Sequence, residues 1–142
     1  MGKFKNSLYI VWKDEYNTGV PIIDEQHRGI ISNINSLHYF IQHGISQEAL
    51  QPVLVTLQQY TIVHFKTEEN LMQEAGYQGF GEHRVLHEEL ASKTIEISQE
   101  ALTNNEPGLA LSFLRNWWLN HIIREDFKCA SLIKDRLFSK IQ

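Results

Sequence analysis

Apolar positions along the chain fall into four stretches with helical spacing, set apart by short runs rich in glycine, proline and asparagine. The first, about residues 22–43, has the seam Ile23, His27, Ile30, Ile34, Leu37, Ile41, in alternating steps of four and three, and Gly44 is a natural stop. The second, about 52–75, takes Pro52 at its first turn, with 46–51 as a lead-in, and has the seam Leu54, Leu57, Thr61, His64, Glu68, Leu71, Ala75. The third, about 81–103, reads His83, His87, Leu90, Thr94, Ile97, Ala101. The fourth starts near Pro107 and carries Leu111, Leu114, Trp118 and His121, flanked by Ala110 and Trp117. A shorter helix after Phe127 would use Leu132, Ile133 and Leu137, and strand-like alternation is confined to 8–12. This pattern predicts an all-α fold, an up-down-up-down antiparallel four-helix bundle. The expected division is one domain over 1–142: an N-terminal arm 1–20, a bundle of about 21–126 and a C-terminal helix of about 127–140.

The seams are apolar except in one respect. His27, His64, Glu68, His83, His87 and His121 occupy positions that should face the core. In an antiparallel bundle the start of one helix lies beside the end of the next. His27 and the pair His83 and His87 come early in their helices, whereas His64, Glu68 and His121 come late. All of them therefore meet at one height. Residues at i and i+4 share a face, so His64 points with Glu68 and His83 with His87. A single seam histidine is more often a packed core residue, but this many polar groups at one level would each cost about 1–3 kcal/mol if left unpaired. Imidazole and carboxylate suit a borderline transition metal, and the supply exceeds the four ligands of a structural zinc site. The surplus points to two metals sharing carboxylates.

Two acids need a choice. Spacing favours Glu68 over its neighbour Glu69, which is expected to face outward. After His121 the same rule favours Glu125, and spacing alone leaves Glu125 and Asp126 both open. His38 and His43 fall off the seam and are expected to be structural or solvent-facing.

Composition narrows the setting. The apolar share of 42% and charged share of 21% are those of an ordinary globular chain, which argues against disorder. A formal charge of −4 gives no electrostatic reason to bind nucleic acid or an anionic membrane. The lone Cys129 fits a reducing compartment, and is expected to be a small buried residue rather than a ligand. Lys3 and Lys5 precede the apolar run 8–12, but no small-residue cleavage site follows. A cytoplasmic monomer without membrane or nucleic-acid partners is the expectation.

The ordered motifs resemble the hemerythrin family, in particular its single-domain bacteriohemerythrins. They are Trp12 with Tyr16-Asn17-Thr18-Gly19, then Ile23-Asp24-Glu25-Gln26-His27, His64-Phe65-Lys66-Thr67-Glu68-Glu69, His83 with His87, and His121-Ile122 followed by Asp126. The resemblance implies two non-haem irons with dioxygen as ligand. His83, His87 and His121 would bind one iron, and His27 and His64 the other. Glu68, Asp126 and a solvent-derived oxo or hydroxo group would bridge them. It thus selects Asp126 over Glu125 and requires the fourth helix to end or distort there, because i+5 leaves the ideal helical face.

By the same resemblance the function is reversible oxygen carriage or storage, not enzymic turnover. Oxygen would be held as hydroperoxide on the five-coordinate iron of His27 and His64. Ile30, Phe65, Trp118 and Ile122 would form the oxygen pocket. Trp118 departs from the aliphatic residue usual there, and either lines that pocket or packs outward against a neighbouring helix or the arm. The ligand set itself favours binding, since oxygen-activating di-iron bundles use Glu-x-x-His motifs and this chain has none. The alternatives are an oxygen, redox or nitric oxide sensor acting through a partner protein, and a di-iron peroxide or nitric oxide reductase.

Overall fold

Local chemistry sets where each helix begins and ends. The molecule, seen in a computed structural model, is described over residues 8–138, without the side chains of Ile122 and Ile123. After an irregular arm and a short 3-10 turn, Asp14–Tyr16, α1 spans Pro21–Gln42. Its entry is clamped by Asp24, whose carboxylate accepts from the Thr18 amide and hydroxyl (both 2.8 Å) and from the Gly19 amide (3.2 Å). The carboxylate satisfies amides around the helix start and suits the positive end of the helix.

Helix α2 spans Gln47–Ala75, beginning before Pro52 rather than at it. Ser46 is the cause: its hydroxyl accepts from the Ala49 amide at 3.3 Å, a serine N-cap that starts the helix a turn earlier. Pro52 then sits inside the helix, and Leu50 joins the core. At the far end Gly76 adopts φ +74°, the left-handed C-cap, and the Tyr77 amide reaches back to the Met72 carbonyl at 2.9 Å. Helices α3 (Phe80–Thr103) and α4 (Pro107–Trp117) follow. Pro107 opens α4 at a position where its missing N–H costs nothing.

Helix α4 does not stop where its α-helical spacing does. Residues Trp118–Asp126 continue as a π-helix, which passes directly into α5 (Phe127–Ile133) and a second π turn, Lys134–Phe138. The last elements are thus one continuous helical rod up to the end of the described residues; positions 139 and 140 of the expected C-terminal helix lie outside them. Among the described residues no strand forms, and the segment 8–12 is irregular.

Helix α1 packs on α2 and α4, α2 on α3, and α3 on α4, which closes the antiparallel four-helix bundle. Its interior has two apolar clusters. The larger contains Ile30, Ile34, Leu37, Leu54, Leu57, Leu114 and Trp118. The smaller contains Val20, Ile23, Met72, Cys129 and Ile133. On α1 the step from Ile23 to Ile30 crosses His27; on α2 the step from Leu57 to Met72 crosses His64 and Glu68. On the fourth rod, Trp118 and Cys129 bracket His121 and Asp126. A polar layer therefore lies between two apolar plugs.

Candidate metal centre

Every histidine of that layer is buried, with between 0% and 5% of its surface exposed, and so are Glu68 and Asp126, both at 0%. The five Nε2 atoms converge on the two carboxylates. Asp126 Oδ2 lies 3.0 Å from His27 and 3.3 Å from His64, and Oδ1 lies 3.1 Å from His83 and 3.4 Å from His121. Glu68 Oε1 lies 3.0 Å from both His83 and His87. Two four-residue groups result, His83, His87, His121 with Asp126, and His27, His64, Glu68 with Asp126. Donor atoms within each group lie within 4.8 Å of one another.

The π-helix explains the acid. Its i→i+5 pattern places residues five apart on one face, so His121 and Asp126 point together into the layer. Glu125, the residue regular spacing would choose, is one-third exposed and pairs with Lys128 at 3.2 Å.

Polar residues outside the layer fix the ring orientations. His64 Nδ1–H donates to Gln26 Oε1 at 3.0 Å, and the Gln26 amide donates in turn to the Thr67 hydroxyl at 3.0 Å. His87 Nδ1–H donates to Glu69 Oε2 at 2.8 Å. Glu69 is therefore not the outward-facing acid its spacing suggested. A glutamate is long enough to lean sideways from α2 onto α3, which a seam count does not register. Gln26, next to His27 in sequence, is likewise visible only once α1 lies against α2. Phe65 stacks face to face on the His87 ring (3.9 Å, 10° between planes).

These bonds leave the inner ring nitrogens facing carboxylates in a way that suits a cation. With Nδ1 as the donor, a neutral His64 or His87 turns an Nε2 lone pair toward a carboxylate oxygen 3.0–3.3 Å away. Two lone pairs at that distance repel unless a proton or a metal ion stands between them. Glu68 Oε1 and Oε2, His87 Nε2 and His121 Nε2 are also buried without a well-aligned hydrogen-bond partner among the described residues. Such groups are costly when unpaired, and metal coordination would satisfy them together.

Protons partly fill this role in the metal-free protein. Burial pushes the His83 imidazolium down, but the hydrogen bond to Asp126 and the facing Glu68 carboxylate outweigh it and hold the pKa at about 10. Burial likewise opposes ionisation of Asp126, yet the imidazoles of His121, His27, His64 and His83 that face it keep its carboxyl well below the usual carboxylate range. At His64 the burial penalty is overcome by Asp126 and Glu68, which raise it, while at His27 burial prevails and lowers it.

The surroundings of the two groups differ. Open surface grooves reach His121, His87 and His83. His27 instead adjoins an enclosed apolar cavity walled by Ile10, Trp12, Tyr16, Ile31, Trp118 and Leu119, where the centre of a water-sized molecule has about 10 Å³ to move. That is room for about one small molecule. Trp118 is 2% exposed and meets the His27 ring edge-on at 5.0 Å. It thus lines the cavity and touches the arm side as well. Trp117 turns the other way, stacking parallel to His121 at 6.0 Å. Ile30 and Phe65 are buried in the larger apolar cluster without lining this cavity; the Ile122 side chain lies outside the described residues. Cys129 donates its thiol to the Asp126 carbonyl at 3.3 Å, and burial pushes the thiol pKa up, so it stays protonated. His38 stacks on Tyr9 at 4.8 Å and the exposed His43 packs on Tyr39 at 4.1 Å, both away from the layer.

Fold and layer together define a helical-bundle protein with a buried site that could hold cations. The family model described as Hemerythrin HHE cation binding domain matches residues 18–133. Bacteriohemerythrin of Pseudomonas aeruginosa PAO1 is 38% identical over 119 residues, covering 83% of this chain and 77% of that protein. Bacteriohemerythrin of Stenotrophomonas maltophilia R551-3 is 34% identical over 129 residues, covering 90% and 84%. A crystal structure of wild-type hemerythrin superposes with a TM-score of 0.78 at 28% identity, over 88% of this chain and 98% of that one. The chain belongs to the hemerythrin family. Among the described residues, no helix is long and apolar enough to cross a membrane.

Proposed function

We propose that the chain binds dioxygen reversibly, for carriage or storage, at a pair of non-haem irons in the polar layer. His83, His87 and His121 would hold one iron and His27 and His64 the other, with Glu68 and Asp126 bridging. Bound there, the irons supply the electrons that oxygen takes up and returns. The His27 side would have two histidines against three, and the observation that carries the reading is the enclosed cavity beside that same histidine. Its walls are apolar and sized for about one small molecule, so they admit a diatomic gas and hold bulk water away.

The residues outside the layer have defined tasks in this reading. Gln26 and Glu69 hold the His64 and His87 rings with Nε2 facing inward. The glutamate adds a carboxylate behind His87, which makes that ring a stronger donor. The lower apolar cluster, with Cys129 and Ile133 fully buried, seals the layer from solvent on its other side.

Anaerobic reduction of the iron-loaded protein followed by oxygen titration tests the proposal. A visible band that appears with oxygen and disappears on deoxygenation is the expected result. Immediate, irreversible oxidation would sink reversible carriage and favour the sensor or reductase alternatives. Trp118→Leu should enlarge the cavity at His27 and speed autoxidation, read as the decay of that band, because a smaller side chain there admits water. An unchanged decay rate would mean that the indole does not control the space next to the iron.

A further inference from the structure

The cavity beside His27 has a wall that is not part of the bundle. Ile10 and Trp12 belong to the irregular arm, and with Ile31 of α1 they line both the enclosed cavity and an open groove of about 600 Å³ on the outer side. A single layer of side chains separates solvent from the space next to the candidate ligand. Ile10 is 5% exposed, whereas its neighbour Val11 is 50% exposed, so the arm turns one apolar residue inward as a plug.

The side chain of Asn35 ties this segment to the bundle, and Tyr9 adds a stack on His38 at 4.8 Å and a contact with Arg115 at 5.6 Å. Asn35 Oδ1 accepts from the amides of Tyr9 (3.0 Å) and Ile10 (2.9 Å), and Asn35 Nδ2 donates to the Ile10 carbonyl at 2.9 Å. The amide thus pairs with the arm as a strand edge would, although no strand is present. Trp12 has softer contacts: Arg28 lies over its ring at 4.7 Å and Tyr16 meets it edge-on at 5.5 Å. Local opening is easiest where few backbone bonds must break, and the backbone bonds of Tyr9 and Ile10 to the bundle meet on Asn35.

We propose that Ile10 and Trp12 are the door through which a small apolar molecule passes from the outer groove to the cavity at His27, and that Asn35 is the positioning residue that keeps it shut. The gas takes its identity from the proposed function; the door does not depend on it.

Asn35→Ala and Asn35→Asp, made in the full chain, test this in two measurements. The first is amide hydrogen exchange. Tyr9 and Ile10 should exchange at least about tenfold faster in Asn35→Ala, and by a smaller factor in Asn35→Asp, which keeps the acceptor and loses the donor. The second is quenching of tryptophan fluorescence by dissolved oxygen in the metal-free protein, since Trp12 and Trp118 both wall the cavity. Quenching should become severalfold more efficient in the same order of variants, and oxygen uptake by the iron-loaded protein should accelerate in parallel. Unchanged exchange would overturn the role of Asn35. Faster exchange with unchanged quenching would overturn the door. A wild-type loaded protein that takes up no oxygen would remove the proposed function, while the metal-free quenching series would still decide the door.

Discussion

Asp126→Ala should empty both iron positions, while Glu125→Ala should leave both filled, as read by metal analysis after anaerobic reconstitution. Asp126 faces four of the five histidines, two through each oxygen, so no other side chain in the layer links the two groups as directly. Its removal deletes an anionic bridge and leaves the buried His83 imidazolium with Glu68 alone as counter-charge. Breaking a buried ionic network in this way costs about 3–5 kcal/mol. The metal-free Asp126→Ala protein should therefore also show a lowered thermal midpoint. Asp126→Asn keeps the shape without the charge and should lose iron with less damage to the fold. Glu125 has only its surface pairing with Lys128, and an exposed pair of that kind contributes about 0–1 kcal/mol. Full iron occupancy in Asp126→Ala would refute the assignment of the bridging acid.

That contrast also marks how far the sequence could be read. The seam histidines were legible because i, i+4 pairing and antiparallel topology are both properties of the pattern. The acid after His121 was legible only through the family resemblance, which selected Asp126; spacing left it open, because a π-helix changes which residues share a face without leaving a mark in the spacing of Leu111, Leu114 and Trp118 before it. Glu69 was misread for a different reason. Its position relative to its own helix says outward, but its partner His87 belongs to the next helix, and contact across helices is a property of packing. Asn35 and Gln26 escaped in the same way: both are polar residues flanking a seam, and each acquires a task from an element elsewhere in the chain. At the start of α2 the error was one of competing signals. Pro52 is a recognised first-turn residue, yet Ser46 caps the helix first, and a proline near the beginning of a long helix is tolerated because few backbone bonds precede it. Periodicity placed Ile30 in the core, where it lies, but the pocket role of Ile30 and Phe65 was an implication of the resemblance, and both sit in the larger apolar cluster.

The metal-loaded and metal-free proteins should respond to pH in opposite directions between 6.5 and about 10, the range in which His83 is protonated in the metal-free fold but neutral in the unfolded chain. In the metal-free protein the folded pKa of His83 is raised above its unfolded value, so its stabilising contribution is fully present below pH 6.5. It is lost as pH rises through about 10. The depressed Asp126 pKa acts in the other range: its contribution is present above the ordinary carboxylate pKa and disappears only as strong acid protonates it. Metal needs the same Nε2 atoms unprotonated. Loading must therefore expel the His83 proton, and each proton displaced makes binding stronger by about 1.4 kcal/mol per pH unit. Thermal midpoints of the two forms should accordingly diverge as pH rises, the loaded form gaining on the chelated one. Acid should release the iron through the imidazole range, more steeply than a single titration because several histidines must protonate. A direct check is proton release on adding ferrous ion to weakly buffered protein at neutral pH, under exclusion of oxygen. Loading without proton release would show that His83 is already neutral in the metal-free layer, and that the carboxylates around it are balanced in some other way.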